Sequence, residues 1–119
     1  MEQCNTLALA YLGDSVYELY IREYLLKKGI VKVKELQHQA TCYVSAKNQV
    51  KILENIKNHL SEEELEIVKK GRNAKSHKAP KNTDILTYKH ATGFETLIGY
   101  LYMNDQNRLK EIMNMILEG

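Results

Sequence analysis

Residues 6–28 read Thr6-Leu7-Ala8-Leu9-Ala10-Tyr11-Leu12-Gly13-Asp14-Ser15-Val16-Tyr17-Glu18-Leu19-Tyr20-Ile21-Arg22-Glu23-Tyr24-Leu25-Leu26-Lys27-Lys28. Apolar side chains recur at Leu7, Tyr11, Leu12, Val16, Leu19, Tyr20, Tyr24 and Leu25, the spacing of a helix with one buried stripe. Gly29, directly after two lysines, is a natural C-terminal stop. Within this helix stands Asp14, whose neighbours one and two turns away are Ala10, Tyr11, Tyr17, Glu18 and Ile21. Its carboxylate is therefore expected on, or at the edge of, the face that packing should claim. A buried lone carboxylate costs several kcal/mol unless it is paired, hydrogen-bonded or bound to a metal. Either Asp14 has a structural partner or it is kept for chemistry. Gly13 costs about 1 kcal/mol relative to alanine inside a helix, which points to close packing or a bend beside Asp14.

The rest of the chain repeats the helical pattern. A second region runs from about Val33 to Asn58, with a break expected in the β-branched stretch Thr41 to Ser45. Ser61-Glu62-Glu63-Glu64 has the form of a capping box and opens a short helix ending near Gly71. Thr83 is a fair N-cap for a helix over roughly Asp84 to Asn104, and a break at Asn104 to Asn107 precedes a last helix through Leu109, Ile112, Met113 and Ile116. No segment alternates with period two. The expectation is an all-α bundle of five to seven helices forming a single domain over residues 1–119. One proline, six glycines and eight tyrosines agree with long helices rather than a many-turned β fold.

Glu95 repeats the predicament of Asp14. In Thr92-Gly93-Phe94-Glu95-Thr96-Leu97-Ile98-Gly99-Tyr100 its helical neighbours are Ala91, Thr92, Ile98, Gly99 and Tyr102, again an apolar face. If the two helices meet, Asp14 and Glu95 converge. Two close carboxylates repel, and one is pushed toward protonation unless a divalent cation neutralises them. An oxygen-only site favours Mg²⁺ or Mn²⁺ over zinc, and Mg²⁺ needs few protein ligands because it keeps waters and takes phosphate oxygens. Phosphodiester hydrolysis is the natural chemistry of such a site. Tyr11, Tyr17 and Tyr102 are the hydroxyls that could instead partner the acids structurally.

Residues 71–82 form the one clear loop, Gly71-Arg72-Asn73-Ala74-Lys75-Ser76-His77-Lys78-Ala79-Pro80-Lys81-Asn82, with four basic residues and no acid. Arg72, Asn73, Lys75, Lys78 and Lys81 are candidate contacts to nucleic-acid phosphates, with a solvated loop as the other reading. The net charge is only +2, so affinity for nucleic acid has to come from such a local cluster. Two cysteines, Cys4 and Cys42, make neither a disulfide framework nor a zinc set and suit a reducing compartment. There is no secretion signal and no apolar run near the ~20 residues of a membrane span, so a cytoplasmic protein is expected.

Leu12-Gly13-Asp14-Ser15-Val16 resembles the second half of the signature of the ribonuclease III catalytic domain, and Phe94-Glu95-Thr96-Leu97-Ile98-Gly99-Tyr100-Leu101-Tyr102 resembles its second segment. Residues 7–14, 71–76 and 80–84, with Tyr88, are similar to segments of that family's short bacterial Mini branch. The resemblance covers essentially the whole chain. It implies an all-helical homodimer that cuts double-stranded RNA with Mg²⁺ (Mn²⁺ substituting), leaves 5′-phosphates and matures 23S ribosomal RNA precursor ends in bacterial cytoplasm. With 119 residues the chain is expected to lack the separate double-stranded-RNA-binding domain of the longer enzymes. Asp14 matches the family's catalytic aspartate and Glu95 its metal-binding glutamate. Two further family acids are absent: Ala10 stands where the signature has glutamate, and Thr92 where the second segment has aspartate. Thr92 is then expected to serve as a hydrogen bonder behind the site. Glu18 is expected either to lend an outer oxygen or to pair with Arg22 one turn on. Because two acids are gone, the competing expectation is a non-catalytic RNA-binding or ribosome-associated helical module. The blandest reading is a helical interaction domain whose acids are structural.

Overall fold

The computed structural model of the chain describes residues 3–74 and 84–118. Among these residues it holds six α-helices and no strand: α1 (Gln3–Lys27), α2 (Val33–Val44), α3 (Ala46–Ile56), α4 (Glu62–Asn73), α5 (Ile85–Asn104) and α6 (Gln106–Glu118), with a 3₁₀ turn at Lys57–His59. The all-α expectation holds.

The ends of the helices follow local chemistry. α1 stops in a Schellman turn: the amide of Gly29 donates to the Leu26 carbonyl at 3.0 Å and that of Ile30 to the Leu25 carbonyl at 3.3 Å. Gly29 takes φ +95°, a left-handed conformation that glycine adopts without penalty. The long helical region breaks at Ser45, whose extended backbone ends α2 and whose hydroxyl accepts from the Asn48 amide to start α3. The capping box forms as expected, Ser61 Oγ accepting from the Glu64 amide at 3.1 Å and Glu64 Oε1 from the Ser61 amide at 2.8 Å. The start of α5 differs from expectation by one residue. Asp84 is the N-cap, its carboxylate accepting from the Thr87 amide at 2.9 Å; Thr83 lies outside the described residues. The break before α6 contracts to Asp105 alone.

α5 is the central element. Ala91 to Leu101 are buried except for half-buried Glu95 and Tyr100, because α1 covers one side, α4 another, and α3 and α6 the rest. Tyr17 of α1 is fully buried, packs edge-on against Phe94 with ring centroids 5.0 Å apart, and donates its hydroxyl to the Tyr43 carbonyl at 3.0 Å. Tyr24 is half-buried and donates to the Leu117 carbonyl at 3.3 Å. The tyrosine-rich first helix therefore spends much of its aromatic surface on its own core, and Tyr11 is its one fully exposed ring.

One ion pair ties α4 to α6. Arg108 grips both oxygens of the nearly buried Glu64, Nε to Oε2 at 2.8 Å and Nη2 to Oε1 at 3.0 Å, while Nη2 also donates to the His59 carbonyl at 2.7 Å. The Arg108 hydrogen bonds hold the Glu64 carboxyl below its usual range, with the Ser61 amide helping. Arg108→Ala strands that carboxylate and should cost about 3 kcal/mol, lowering the melting temperature by roughly 10 °C. Because the folded-state pKa of Glu64 is depressed, the pair's contribution is present above the unfolded-state pKa and fades as pH falls through the folded one. The gap between wild type and Arg108→Ala in thermal melts should thus be wide at neutral pH and narrow under acid. A gap independent of pH would count against the pair.

Candidate active site

The site is set where α1 and α5 touch backbone to backbone. A Cβ added at Gly13 would overlap the Glu95 carbonyl oxygen and lie 2.8 Å from the Gly99 nitrogen. One added at Gly99 would overlap the Leu9 carbonyl oxygen and lie 3.1 Å from the Gly13 nitrogen. Only two glycines allow so close a crossing. Asp14 follows Gly13 directly and Glu95 lies one turn before Gly99, so the crossing delivers both acids to one place.

The two carboxyls lie close enough for the hydrogen-bonding and charge of Asp14 to act on Glu95. Burial pushes the Glu95 carboxyl up to about 8, and the hydrogen bond and charge of Asp14 push in the same direction. The convergence expected from sequence is therefore present, but burial is divided differently than expected. Asp14 is exposed, since the face of α1 that meets α5 is taken by Gly13 and the next residue is turned about 100° around the axis. Glu95 is the desolvated partner. The three tyrosines proposed as structural partners turn elsewhere: Tyr17 donates to a backbone carbonyl, and Tyr11 and Tyr102 are exposed.

Two other expectations are narrowed. The Thr92 hydroxyl is buried and donates to the Tyr88 carbonyl at 2.9 Å, so its proton goes to its own helix and its oxygen remains only as an acceptor. Glu18 pairs with Arg22, the simpler of its two readings. Ala10 is buried in the core.

Gln49 is the participant that sequence reading missed. It is 2% exposed, and its Nε2 donates to the Val44 carbonyl at 3.1 Å and to Glu95 Oε2 at 3.3 Å. Its Oε1 is buried without a hydrogen-bond partner among the described residues. Gln49, Leu53 and Ile56 form the buried stripe of α3, which puts a polar side chain at an apolar position.

Of the candidate RNA contacts, Arg72 and Asn73 close the last turn of α4, where Arg72 Nε donates to Asn73 Oδ1 at 3.4 Å. Arg72 lines a hollow between α3, α4 and α5 with Lys57, Lys69 and His90, where Glu54 offsets part of the positive charge. Lys75, Lys78 and Lys81, with His77, lie outside the described residues.

Among the described residues no group of three or more His, Cys, Asp and Glu could hold a metal ion. What exists is a pair of oxygen donors forced together against their mutual repulsion. That donor set suits a hard cation needing few protein ligands, Mg²⁺ or Mn²⁺, and does not suit zinc.

Comparison with known proteins agrees with this geometry. Residues 7–106 match the family model described as the ribonuclease III domain. The chain is similar to a Mini-ribonuclease 3 of Enterococcus faecalis, 48% identical over 98% of this chain and 91% of that protein. It is also similar to one of Brevibacillus brevis, 49% identical over 97% and 89%. A crystal structure of a Fusobacterium nucleatum protein superposes with a TM-score of 0.84 at 35% identity, covering 96% of this chain and 88% of that one. The chain belongs to the ribonuclease III family, in its Mini-ribonuclease 3 branch, which makes it an endoribonuclease.

Proposed function

We propose that this chain, a single catalytic domain over residues 1–119, hydrolyses double-stranded RNA with Mg²⁺ as a homodimer in bacterial cytoplasm, and that its substrate is the 23S ribosomal RNA precursor. The observation that carries the catalytic part is the joining of Asp14 and Glu95 at the glycine crossing, with Glu95 driven up to about 8 by burial and by its neighbour. Such a pair is costly in an apoprotein and becomes favourable once a cation replaces the shared proton. When bound, Mg²⁺ supplies stabilisation of the charge that develops on the phosphate. Glu95, buried and oriented, would hold the cation; Asp14, exposed beside it, would hold the cation or orient the attacking water. The retention of both acids, and their contact, is what favours an enzyme over the binding-module reading.

Membership of the Mini branch supports the ribosomal RNA assignment, and the family supports duplex RNA and dimerisation. Exposed apolar side chains on α1 (Tyr11, Leu19) and near the end of α5 (Tyr102, Met103) are surface a second copy would cover. No helix among the described residues is long and apolar enough to cross a membrane. The deciding experiment incubates purified protein with duplex RNA carrying 23S precursor ends, with Mg²⁺ and with chelator. Cuts on both strands that require the cation are expected. Binding without cutting would establish the non-catalytic module instead.

Phosphate grip falls to Arg72, Asn73, Lys75, Lys78 and Lys81. The deep groove of A-form RNA hides its bases, so these side chains would meet backbone and 2′-hydroxyls across the shallow groove. Replacing Lys75 and Lys78 by glutamine should weaken duplex binding and reduce the slope of log K against log salt by roughly 1–2. Titration at several salt concentrations checks this, and an unchanged slope removes those lysines from the interface.

A further inference from the structure

Gln49 occupies a position that packing alone would fill otherwise. It is 2% exposed on the stripe it shares with Leu53 and Ile56, and a leucine or methionine there would fill similar volume without burying a carbonyl oxygen that has no donor. What the amide supplies is two protons on one nitrogen, with an acceptor for each: the Val44 carbonyl at 3.1 Å and Glu95 Oε2 at 3.3 Å. The Val44 carbonyl can only accept, which fixes the amide with its nitrogen toward it and Glu95; turned over, the amide oxygen would face that carbonyl.

We propose that Gln49 is a positioning residue that holds the Glu95 carboxylate by Oε2 and anchors it to the α2–α3 elbow at Ser45, so that its other oxygen would be free to hold a cation. The inference rests on the Asp14–Glu95 reading above. A terminal carboxylate torsion is broad and weakly determined on its own, so a fixed donor on one oxygen selects its orientation. A neutral donor suits the task. Lysine or arginine at this place would orient the carboxylate but also neutralise it, competing with the cation; an amide orients it and leaves its charge intact. The anchor is rigid because Val44 ends α2 and Gln49 lies in the first turns of α3, on either side of the Ser45 cap.

The test is Gln49→Met, which keeps the volume and removes both protons. In RNA-free protein, Mn²⁺ affinity by calorimetry should weaken about tenfold. With a synthetic RNA duplex and Mg²⁺, kcat should fall about 10- to 100-fold with KM for RNA unchanged, and the melting temperature of metal-free protein should hold or rise. Wild-type Mn²⁺ affinity and kcat in the variant would overturn the proposal, as would a lowered melting temperature with both unchanged, the mark of a merely structural residue. If Gln49→Met does not fold, Gln49→Asn withdraws the amide by one methylene and should give the same losses; wild-type values there would equally overturn it. A wild-type protein that neither binds Mn²⁺ nor cuts the duplex removes the Asp14–Glu95 reading and this one together. A wild-type protein that does both, beside an unaltered variant, removes Gln49 alone.

Discussion

Asp14→Asn and Glu95→Gln should each lower duplex RNA cleavage at least about a thousandfold, equivalent to about 4 kcal/mol of transition-state stabilisation, while folding and dimerisation persist. Among the described residues no third carboxylate joins Asp14 and Glu95 to take over. The stability readout separates the two variants. Glu95 has a folded-state pKa raised above its ordinary value, to about 8, so the neutral form is the one the fold favours. Its contribution to stability is fully present below the unfolded-state pKa and is lost as pH rises through about 8. Metal-free wild type should therefore melt progressively lower as pH rises from about 4.5 toward 8. Mg²⁺ should reverse that trend by binding the ionised pair. Glu95→Gln should flatten it, because its amide cannot ionise and can donate to Asp14. Melting curves with and without Mg²⁺ across that range, beside cleavage rates, check both halves. Retained cleavage by either purified variant would remove the site; a wild-type melting temperature that rises with pH in chelator would contradict the desolvated state of Glu95.

Sequence carried the helices because their signals are local. The capping box at Ser61 and Glu64 and the stop at Gly29 each depend on residues within one turn, and each forms as expected. The convergence of Asp14 and Glu95 was also legible, since two acids on apolar faces, each beside a glycine, need a common explanation. What periodicity could not supply was rotation. It places Asp14 at the edge of a face, but which side of that edge meets α5 is decided by the Gly13–Gly99 crossing, a pairing between elements 86 positions apart in number order. The direction of the Thr92 hydroxyl was likewise not legible: a buried threonine in a helix has a carbonyl of its own four residues back, and the Tyr88 carbonyl takes the proton, leaving the oxygen only as an acceptor. Gln49 carries no signal of its own in the sequence, because a lone amide on a helix reads as solvent-facing until packing buries the stripe it shares with Leu53 and Ile56.

Gly13→Ala and Gly99→Ala should be the most damaging single-methyl changes in the chain. In an ordinary helix interior, glycine to alanine gains about 1 kcal/mol. Here the added carbon meets the Glu95 carbonyl oxygen or the Leu9 carbonyl oxygen, and backbone cannot swing aside as a side chain can. The helices must separate, and overpacking of this kind costs about 1–3 kcal/mol or more, against which the propensity gain is small. Since α1 and α5 carry the two acids, the same separation pulls Asp14 from Glu95. A displacement of about 1 Å at a catalytic group costs on the order of a hundredfold in rate, so cleavage should fall further than the loss of folded protein accounts for, even at temperatures where the variant is fully folded. Gly29→Ala is the internal control. Nothing lies within 4 Å of a Cβ there, but φ is +95°, so backbone strain alone should lower the melting temperature and leave kcat at its wild-type value. Melting curves and single-turnover cleavage on all three variants distinguish these cases: strain at Gly29 touches stability only, while a methyl at the crossing touches stability and chemistry together, because at that one point the fold and the site are the same contact.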